Sequence, residues 1–282
     1  MRAALTHSQG AAGPATEPGT PLQAGSAKGV PTAARQAARY FRHPLPTTEA
    51  EPKHLFVRRL FTTIAPRYDW FNRLGSLGLD QRWRRRAVAE SGLSGGMQVL
   101  DVCTGTGDLA VFCARRLQGR GAVVGVDVNE AMLRGAVRKQ RPGEPAISWL
   151  RGEAQALPFG PERFDRVVIG FSTRNLSDLS QGLGEMVRVL KPRGQLLILE
   201  TGRPSNRLVR MGYLLFLGTV ARVIGFLLTG RVWPFTYLAR SVKEFLSPAE
   251  MVALLNACGT QARYVPLSWG LASLYVADKV ST

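Results

Sequence analysis

The spacing of apolar residues predicts two helices ahead of a longer alternating pattern. Four apolar residues recur at the spacing of one helix face: Val57, Leu60, Phe61 and Ile64. Pro66 follows and predicts the end of this helix. A second helix is expected over the stretch LDQRWRRRAVAESG, so residues 54–92 are predicted to form an N-terminal helical cap.

Beyond this cap, short apolar runs alternate with amphipathic stretches. The runs typical of buried strands are MQVLDVC, AVVGVDV, AISWLRG, FDRVVIGF and QLLILE. The stretches between them with helical periodicity are DLAVFCARRL, NEAMLRGAVRKQ and LGEMVRVL. Such alternation indicates parallel strands with crossover helices on both faces of a sheet. We therefore predict an α/β fold built on a doubly wound, mostly parallel sheet.

The end of the chain adds one helix and two strands to this pattern. A helix is predicted over SPAEMVALLNACG from the residues at its two ends. Ser247 would be the N-cap, Pro248 lies in the first turn, Glu250 would complete a capping box, and Gly259 marks the C-terminus. The runs ARYVPLS and LASLYVADK are joined by too few residues for a parallel crossover, so they are expected to be antiparallel. Together with the five earlier strands, they predict a seven-stranded, Rossmann-like sheet that ends in an antiparallel strand pair.

The first fifty residues differ in composition from the rest. They are rich in Ala, Gly, Pro, Thr and Gln and show no apolar periodicity, so we expect residues 1–50 to form a disordered basic tail. The run TAARQAARYFRH resembles part of a transit peptide, with a plain flexible leader as the alternative, and no apolar segment supports secretion. Residues 51–282 are expected to form one catalytic domain.

Charge and cysteine usage narrow the classes of partner and site. The net charge of +17 favours an anionic partner: nucleic acid, an anionic membrane surface or an acidic ligand. Cys103, Cys113 and Cys258 show no C-x-x-C spacing, so we expect a reducing, cytoplasmic compartment and no disulfide framework or metal site. All three histidines lie within the first 54 residues, which predicts chemistry in the core without an imidazole.

The stretch VLDVCTGTGDLA carries the candidate ligand loop. Its G-x-G-x-x-A spacing, followed twenty positions after Gly107 by Asp127, fits a nicotinamide dinucleotide site. However, Asp101 stands at the end of the first strand and Asp108 opens the next helix, and two carboxylates would repel a pyrophosphate. They suit a ligand with an ammonium or sulfonium group, and S-adenosylmethionine carries both.

Further motifs identify a family resemblance. The pattern D-x-x-x-G-x-G-D, followed by VDVNEAML, LPF, FDRVV and LKPRGQLLILE, resembles class I S-adenosylmethionine-dependent methyltransferases. The blocks YDWFNRLGSLGLDQRWRR, FSTRNLSD and YLARSVKEFLSPAEM resemble, more narrowly, the menaquinone and ubiquinone biosynthesis C-methyltransferases, from about residue 54 to 279. Three blocks in the family's order are far more specific than the glycine loop alone.

The resemblance implies a set of cofactor-binding residues at the carboxyl ends of the strands. Gly105 and Gly107 would admit the methionine part of the cofactor where any Cβ would collide. Asp101 would hold the ammonium, Asp127 would accept both ribose hydroxyls, and Glu153 would contact the adenine edge or be a solvated loop acid. Asn129 is expected to cap a helix. The predicted set is Asp101, Thr104, Gly105, Gly107, Asp127, Val128, Glu153 and Ala154.

The resemblance also implies the substrate and the catalytic residues. The methyl acceptor would be a ring carbon of a polyprenylated quinol, such as demethylmenaquinol. Arg174 and Asn175 follow the fourth strand, and Arg174 is expected to stabilise the oxyanion or to orient a water molecule. Tyr68 and Asp69 would close over the substrate or would merely dock the first helix. The family often has a histidine where this chain has Asp80, so the proton acceptor is expected to be Asp80 or water.

A basic, apolar insertion interrupts the alternation at residues 202–243. It holds seven Lys or Arg residues, no Asp or Glu, and the apolar stretch MGYLLFLGTVARVIGFLL. Three readings stay open: a transmembrane helix, a helical lid that covers the substrate and rests on an anionic membrane, and an ordinary buried helix pair. We expect the lid, and with it a peripheral association with the membrane.

Two other functions compete with this prediction. The stretch RWRRR and the positive charge fit a methyltransferase that acts on RNA, but neither a Pro-Cys pair nor a [DNS]-P-P-[YF] motif is present. A methyltransferase for another lipophilic molecule, or a non-catalytic scaffold of a quinone-synthesis complex, has the same fold. The intact set Asp101, Gly105, Gly107 and Asp127 argues against the scaffold. A homodimer or a larger complex is compatible with the sequence.

Overall fold

The computed structural model describes residues 51–280, so the tail predicted over residues 1–50 lies outside the described residues. The cap begins with helix α1, Lys53–Ile64, and a 3₁₀ turn at Ala65–Arg67 contains Pro66, where the helix was predicted to end. Helix α2, Tyr68–Gly75, follows directly, and helix α3 spans Leu79–Glu90. Helix α2 was not predicted, because its eight residues are too few to repeat a helical period.

Five parallel strands and three crossover helices follow the cap. In chain order they are β1 Gln98–Val102, α4 Asp108–Leu117, β2 Ala122–Asp127, α5 Glu130–Lys139, β3 Ile147–Arg151, β4 Phe164–Gly170, α6 Leu179–Val189 and β5 Leu190–Thr201. Pairing is parallel between β1 and β2, β2 and β3, β1 and β4, and β4 and β5. The predicted alternation is confirmed, and β5 begins earlier than the run QLLILE.

The insertion forms three helices between the sheet's parallel and antiparallel parts. They are α7 Arg207–Gly218, α8 Val220–Thr229 and α9 Trp233–Glu244. By length and composition alone, Arg207–Thr229 is apolar enough to cross a membrane. The helix breaks at Thr219, whose φ of −122° and ψ of −74° are not helical. A Cβ on Gly225 would lie 2.1 Å from Cδ2 of Phe235, so glycine is required where α8 meets α9.

The end of the chain completes the sheet. Helix α10, Pro248–Ala257, has the predicted capping box between Ser247 and Glu250. Strands β6, Thr260–Leu267, and β7, Ala272–Lys279, are antiparallel, and β7 also pairs antiparallel with β5. The strand order is β3-β2-β1-β4-β5-β7-β6, which confirms the predicted seven-stranded sheet.

Apolar layers cover both faces of this sheet. On one face, α3 and α4 pack over side chains that include Val99, Val168 and Leu197. On the other, α6 and α10 cover Leu100, Ile169, Ile198 and their neighbours. Each such Val, Leu or Ile contributes about 1.5–3 kcal/mol through burial. The carboxyl ends of β1, β2 and β4 are therefore held rigidly side by side, beneath the cap and the three inserted helices.

Candidate active site

Two cavities lie above the carboxyl ends of the parallel strands. The polar cavity, of about 300 Å³, is lined by the glycine loop, the ends of β2 and β4, and helix α1. The apolar cavity, of about 360 Å³, lies between the cap and the inserted helices, and is lined by Phe71, Trp83, Phe171, Tyr213, Phe216 and further side chains. Phe61, Tyr68 and Asn175 line both. The two cavities are therefore adjacent and share this wall of three side chains.

The two loop glycines have different roles. Gly105 has a φ of +57° and lines the polar cavity. If a Cβ were added to Gly105, the nearest atom to it would be Cε1 of Tyr68, 4.0 Å away. The space above Gly105 is therefore open to a ligand. Gly107 has a φ of +81°, but an added Cβ would lie 2.5 Å from Cη2 of Trp149. The prediction that a Cβ here would collide with the cofactor is wrong for Gly107, because Trp149 occupies that space.

Asp127 joins the glycine loop to the end of β2. Its Oδ2 accepts a hydrogen bond from the Gly105 amide at 2.8 Å, and its Oδ1 accepts one from the Asn129 amide at 2.8 Å. Burial raises the pKa of Asp127 to about 6, while the two amide donors oppose this shift. Each oxygen keeps a further lone pair, so the carboxylate can still accept hydroxyl groups from the cavity.

Asp101 lies beneath the loop, outside the lining of the polar cavity. Its Oδ2 accepts hydrogen bonds from Thr104 Oγ1 at 2.6 Å and from the Ala110 amide at 3.0 Å. Burial raises the pKa of Asp101 to about 7, against the hydrogen bond from Thr104 and the charge of Arg84. The structure therefore places Asp101 as a support of the loop, and any contact with a ligand's ammonium stays a prediction.

Asp108 does not act as the free acid that the sequence suggested. Its Oδ1 lies 2.7 Å from Lys139 Nζ, and its Oδ2 lies 3.7 Å from Arg84 Nε. Burial raises its pKa, but the charges of Arg84 and Lys139 outweigh that effect and the net shift is downward. Two cations already offset the charge of Asp108. Asp69 and Asp80 pair with the same two cations, so three carboxylates face two cations here, and the expectation that this loop disfavours a pyrophosphate stays a prediction.

The remaining predicted cofactor residues line the polar cavity. Thr104, Val128, Glu153 and Ala154 all contribute to its wall, and Glu153 is exposed. Asn129 caps α5 as predicted, because its Oδ1 accepts from the amides of Ala131 and Met132. His54 on α1 lies at the exposed rim of this cavity. This exposed imidazole lies outside the core, so the expectation of chemistry in the core without an imidazole stays a prediction.

Arg174 and Glu200 form a buried ion pair at the base of the apolar cavity. Nη1 of Arg174 donates to Glu200 Oε1 and, at 2.8 Å, to the Phe171 carbonyl. Burial lowers the pKa of Arg174, but the adjacent Glu200 carboxylate reverses this effect and the net shift is upward. Arg174 is thus a permanent cation, and its Nε has no hydrogen-bond partner among the described residues.

Tyr68, Asp69 and Asp80 occupy three different surroundings. Tyr68 is partly buried in the shared wall, and this burial raises the pKa of its hydroxyl. Asp69 lines neither cavity, and its carboxylate accepts from Thr106 Oγ1 and pairs with Lys139, both at 2.6 Å. Asp69 thereby docks the cap on the loop. Asp80 lines the apolar cavity and accepts hydrogen bonds from Ser76 and Gln81.

Several residues at the site were missed by the sequence analysis. Tyr237 on α9 donates a hydrogen bond to Asn175, Glu200 pairs with Arg174, and Arg84 lines the polar cavity. The acid at the end of the run QLLILE was a signal for Glu200. The run RWRRR gave no signal that one of its arginines is buried, because arginines are mostly exposed. Among the described residues, no group of His, Cys, Asp and Glu side chains could hold a metal ion.

Comparisons with known proteins agree with this architecture. A demethylmenaquinone methyltransferase of Deinococcus radiodurans is 38% identical over 83% of this chain and 97% of its own length. The ubiquinone/menaquinone biosynthesis C-methyltransferase UbiE of Geobacter sulfurreducens is 42% identical over 79% of this chain and 88% of its own. The crystal structure of an S-adenosylmethionine-dependent methyltransferase from Aquifex aeolicus, 23% identical, covers 70% of this chain and 89% of its own, with a TM-score of 0.53.

That crystal structure supports the fold alone, whereas the sequence relatives support the family. The family's sequence pattern matches residues 47–279, which include both cavities and the inserted helices. The chain belongs to the ubiE/COQ5 methyltransferase family.

Proposed function

We propose that this protein transfers a methyl group from S-adenosylmethionine to a ring carbon of a polyprenylated quinol, converting demethylmenaquinol to menaquinol. The observation that carries the proposal is the shared wall of Phe61, Tyr68 and Asn175 between a polar and an apolar cavity. A water-soluble donor and a lipid-tailed acceptor need such a pair of cavities with one point of contact.

The polar cavity fits the donor in its shape and its chemistry. The open space above Gly105 receives the methionine part, which a Cβ would fill. Asp127 at the end of β2 has free lone pairs for the two ribose hydroxyls, and Val128, Glu153 and Ala154 form the wall expected to hold the adenine. When bound, the donor supplies an electrophilic methyl group on a positively charged sulfur.

Arg174 is the residue that makes the quinol carbon reactive. A ring carbon becomes nucleophilic when a neighbouring hydroxyl loses its proton, and the resulting oxyanion needs a cation. Arg174 is the only cation among the described residues that line the apolar cavity, and its Nε is free of hydrogen bonds there. A buried guanidinium stabilises such an oxyanion more strongly than water does.

Asp80 is the proposed proton acceptor. It is the only carboxylate among the described residues lining the apolar cavity. Its Oδ2 lies 3.7 Å from Arg84 Nε and accepts from Gln81, while its Oδ1 accepts from Ser76. Asp80 takes the hydroxyl proton directly or through a water molecule, and Asn175 and Tyr68 hold the ring beside the donor. The ring carbon receives the methyl group as the methyl–sulfur bond breaks. The hydrogen on that carbon then returns to the ring oxygen as a proton, which restores the aromatic quinol, and Asp80 passes its own proton to solvent.

Helix α7 connects the apolar cavity with a membrane surface. Val209, Gly212, Tyr213 and Phe216 on one side of the helix line the cavity. On the other side, Leu208, Met211 and Leu215 are 72%, 63% and 65% exposed. A helix that is apolar on both sides, with arginines but no acids beside it, suits the surface of an anionic bilayer. The protein is thus proposed to work at the cytoplasmic face of the membrane.

The proposal is tested with purified protein, methyl-labelled S-adenosylmethionine and a reduced short-tailed demethylmenaquinol analogue. The label is expected on the quinol ring carbon, and label on oxygen or no transfer would overturn the proposal. Asp127→Ala is expected to abolish donor binding in calorimetry, because the ribose and loop contacts are lost. Asp278→Ala, at an exposed site on β7, is the matched control and is expected to bind normally.

A further inference from the structure

Arg84 is a buried cation that the proposed reaction does not use. It lies on α3, its side chain is 6% exposed, and it lines the polar cavity but not the apolar one. We infer that Arg84 binds the carboxylate of the donor's methionine part. This inference rests on the proposed function, which identifies the donor as S-adenosylmethionine.

The guanidinium of Arg84 is held in place without being saturated. Its Nε lies 3.7 Å from carboxylate oxygens of both Asp80 and Asp108, which is beyond hydrogen-bond distance. This Nε has no hydrogen-bond partner among the described residues. The guanidinium also stacks 5.0 Å from the ring centroid of Phe171. A buried donor left unpaired costs about 1–3 kcal/mol, and the two nearby carboxylates leave the Nε of Arg84 without a hydrogen-bonded partner among the described residues.

The position of Arg84 identifies which part of the donor it meets. Asp108 opens α4 directly after the glycine loop, and a Cβ on Gly170, at the end of β4, would lie 3.3 Å from Arg84 Nη1. Arg84 therefore lies beside β4, whereas Asp127 ends β2 on the other side of β1. Two strand spacings, roughly 10 Å, separate these positions. With the ribose at Asp127, the amino-acid end of the donor extends towards Arg84.

A carboxylate is the group of the donor that matches this cation. Of the donor's polar groups near the loop, the ammonium and the sulfonium are positive and are repelled by a guanidinium. The carboxylate is planar, and a guanidinium fork binds it through two parallel hydrogen bonds. Among the described residues, Arg58 is the other arginine that lines the polar cavity, but its side chain is exposed at the rim of the cavity, whereas Arg84 is buried.

The test measures binding and not turnover. Calorimetry compares S-adenosylhomocysteine with S-adenosyl-3-thiopropylamine, which lacks only the carboxylate. For the unchanged protein, loss of the carboxylate is expected to raise Kd roughly 10- to 100-fold. In Arg84→Gln, the Kd of S-adenosylhomocysteine is expected to rise by a similar factor, and the two ligands should then bind nearly equally. Arg84→Lys should recover part of the difference.

A purely structural role for Arg84 gives a different result. If Arg84 only joins Asp80 to Asp108, Arg84→Gln weakens both ligands equally and keeps their ratio, which overturns the inference. Arg85→Gln, on the exposed side of α3, is the matched control and should change neither Kd. Should Arg84→Gln fail to fold, a crystal structure of the unchanged protein with S-adenosylhomocysteine decides the question. A carboxylate away from Arg84 overturns the inference, and absence of any binding overturns the proposed function as well.

Discussion

The hydroxyl of Tyr237 donates a 3.0 Å hydrogen bond to Oδ1 of Asn175. Tyr237 belongs to the inserted helix α9, and Asn175 lies in the wall that the two cavities share. This contact fixes the amide of Asn175 in the wall between the two cavities. The inserted helices therefore position a residue of the site in addition to covering it.

Tyr237→Phe is expected to lower kcat/KM for the quinol roughly 5- to 30-fold. The substitution leaves the amide oxygen of Asn175 without its buried donor, at a cost of about 1–2 kcal/mol. Steady-state kinetics with the short-tailed analogue provide the measurement. Tyr264→Phe, on the edge strand β6 away from both cavities, serves as the control. Equal effects of the two substitutions would show that the Tyr237 hydroxyl does not position Asn175.

Arg174→Gln is expected to affect both turnover and stability. Loss of a buried group that stabilises an oxyanion lowers kcat roughly 10²- to 10³-fold. The same change leaves the Glu200 carboxylate buried and unpaired, which lowers the free energy of unfolding by about 3–5 kcal/mol. The double variant Arg174→Gln/Glu200→Gln should recover much of this stability in urea unfolding but none of the turnover. A double variant with normal turnover would remove Arg174 from the mechanism.

Donor binding is expected to release protons near pH 6. Burial raises the pKa of Asp101 to about 7 and that of Asp127 to about 6, so each is partly protonated there. The donor's ammonium and hydroxyl groups favour the ionised carboxylates, so affinity should rise with pH up to about 7. Calorimetry in two buffers of different ionisation enthalpy measures the released protons. Asp127→Asn should reduce the number of protons released. An unchanged number would show that other groups release them.

The same two carboxyls also affect the stability of the ligand-free protein. Because their native pKa values exceed the unfolded value, the native state binds more protons than the unfolded state between about pH 4 and 7. Their contribution to stability is fully present below this range and is lost as pH rises through the native pKa values. From pH 5 to pH 7.5, the unfolding free energy of the unchanged protein should therefore fall relative to that of Asp101→Asn.

Met211→Glu/Leu215→Glu is expected to weaken membrane binding at least tenfold. Both side chains lie on the exposed apolar side of α7, where a carboxylate opposes both burial in lipid and attraction to anionic headgroups. Co-sedimentation with anionic vesicles provides the measurement, and turnover of the short-tailed analogue should stay unchanged. Val137→Glu, on the exposed surface of α5, is the matched control. Equal vesicle binding by all three proteins would contradict a membrane role for α7.

The sheet could be predicted from the sequence because it depends on local patterns. Buried strands and amphipathic helices have their own periods, and the short connection between β6 and β7 permits only an antiparallel pair. Helix caps depend on residues within one turn, so the roles of Asn129 and Ser247 were also predicted correctly.

The contacts that join distant elements could not be predicted in this way. Arg84 is buried because Asp108 and Phe171 come to it from two other elements, and no local pattern contains that information. Trp149 fills the space over Gly107 for the same reason, since β3 lies forty residues along the chain. The sequence therefore indicated part of the cavity lining, including Gly105 and Asp127, but neither Arg84 nor Tyr237, and it did not indicate which residues support others.

The cavities share a wall, but different residues form their exposed rims. His54 and Arg58 on α1 border the polar cavity, whereas Leu77, 81% exposed between α2 and α3, borders the apolar one. Donor and acceptor consequently need not share an entrance. For the proposed reaction at a membrane, we expect the used donor to be replaced from water while the isoprenoid tail stays in lipid, so that the two exchanges are kinetically independent.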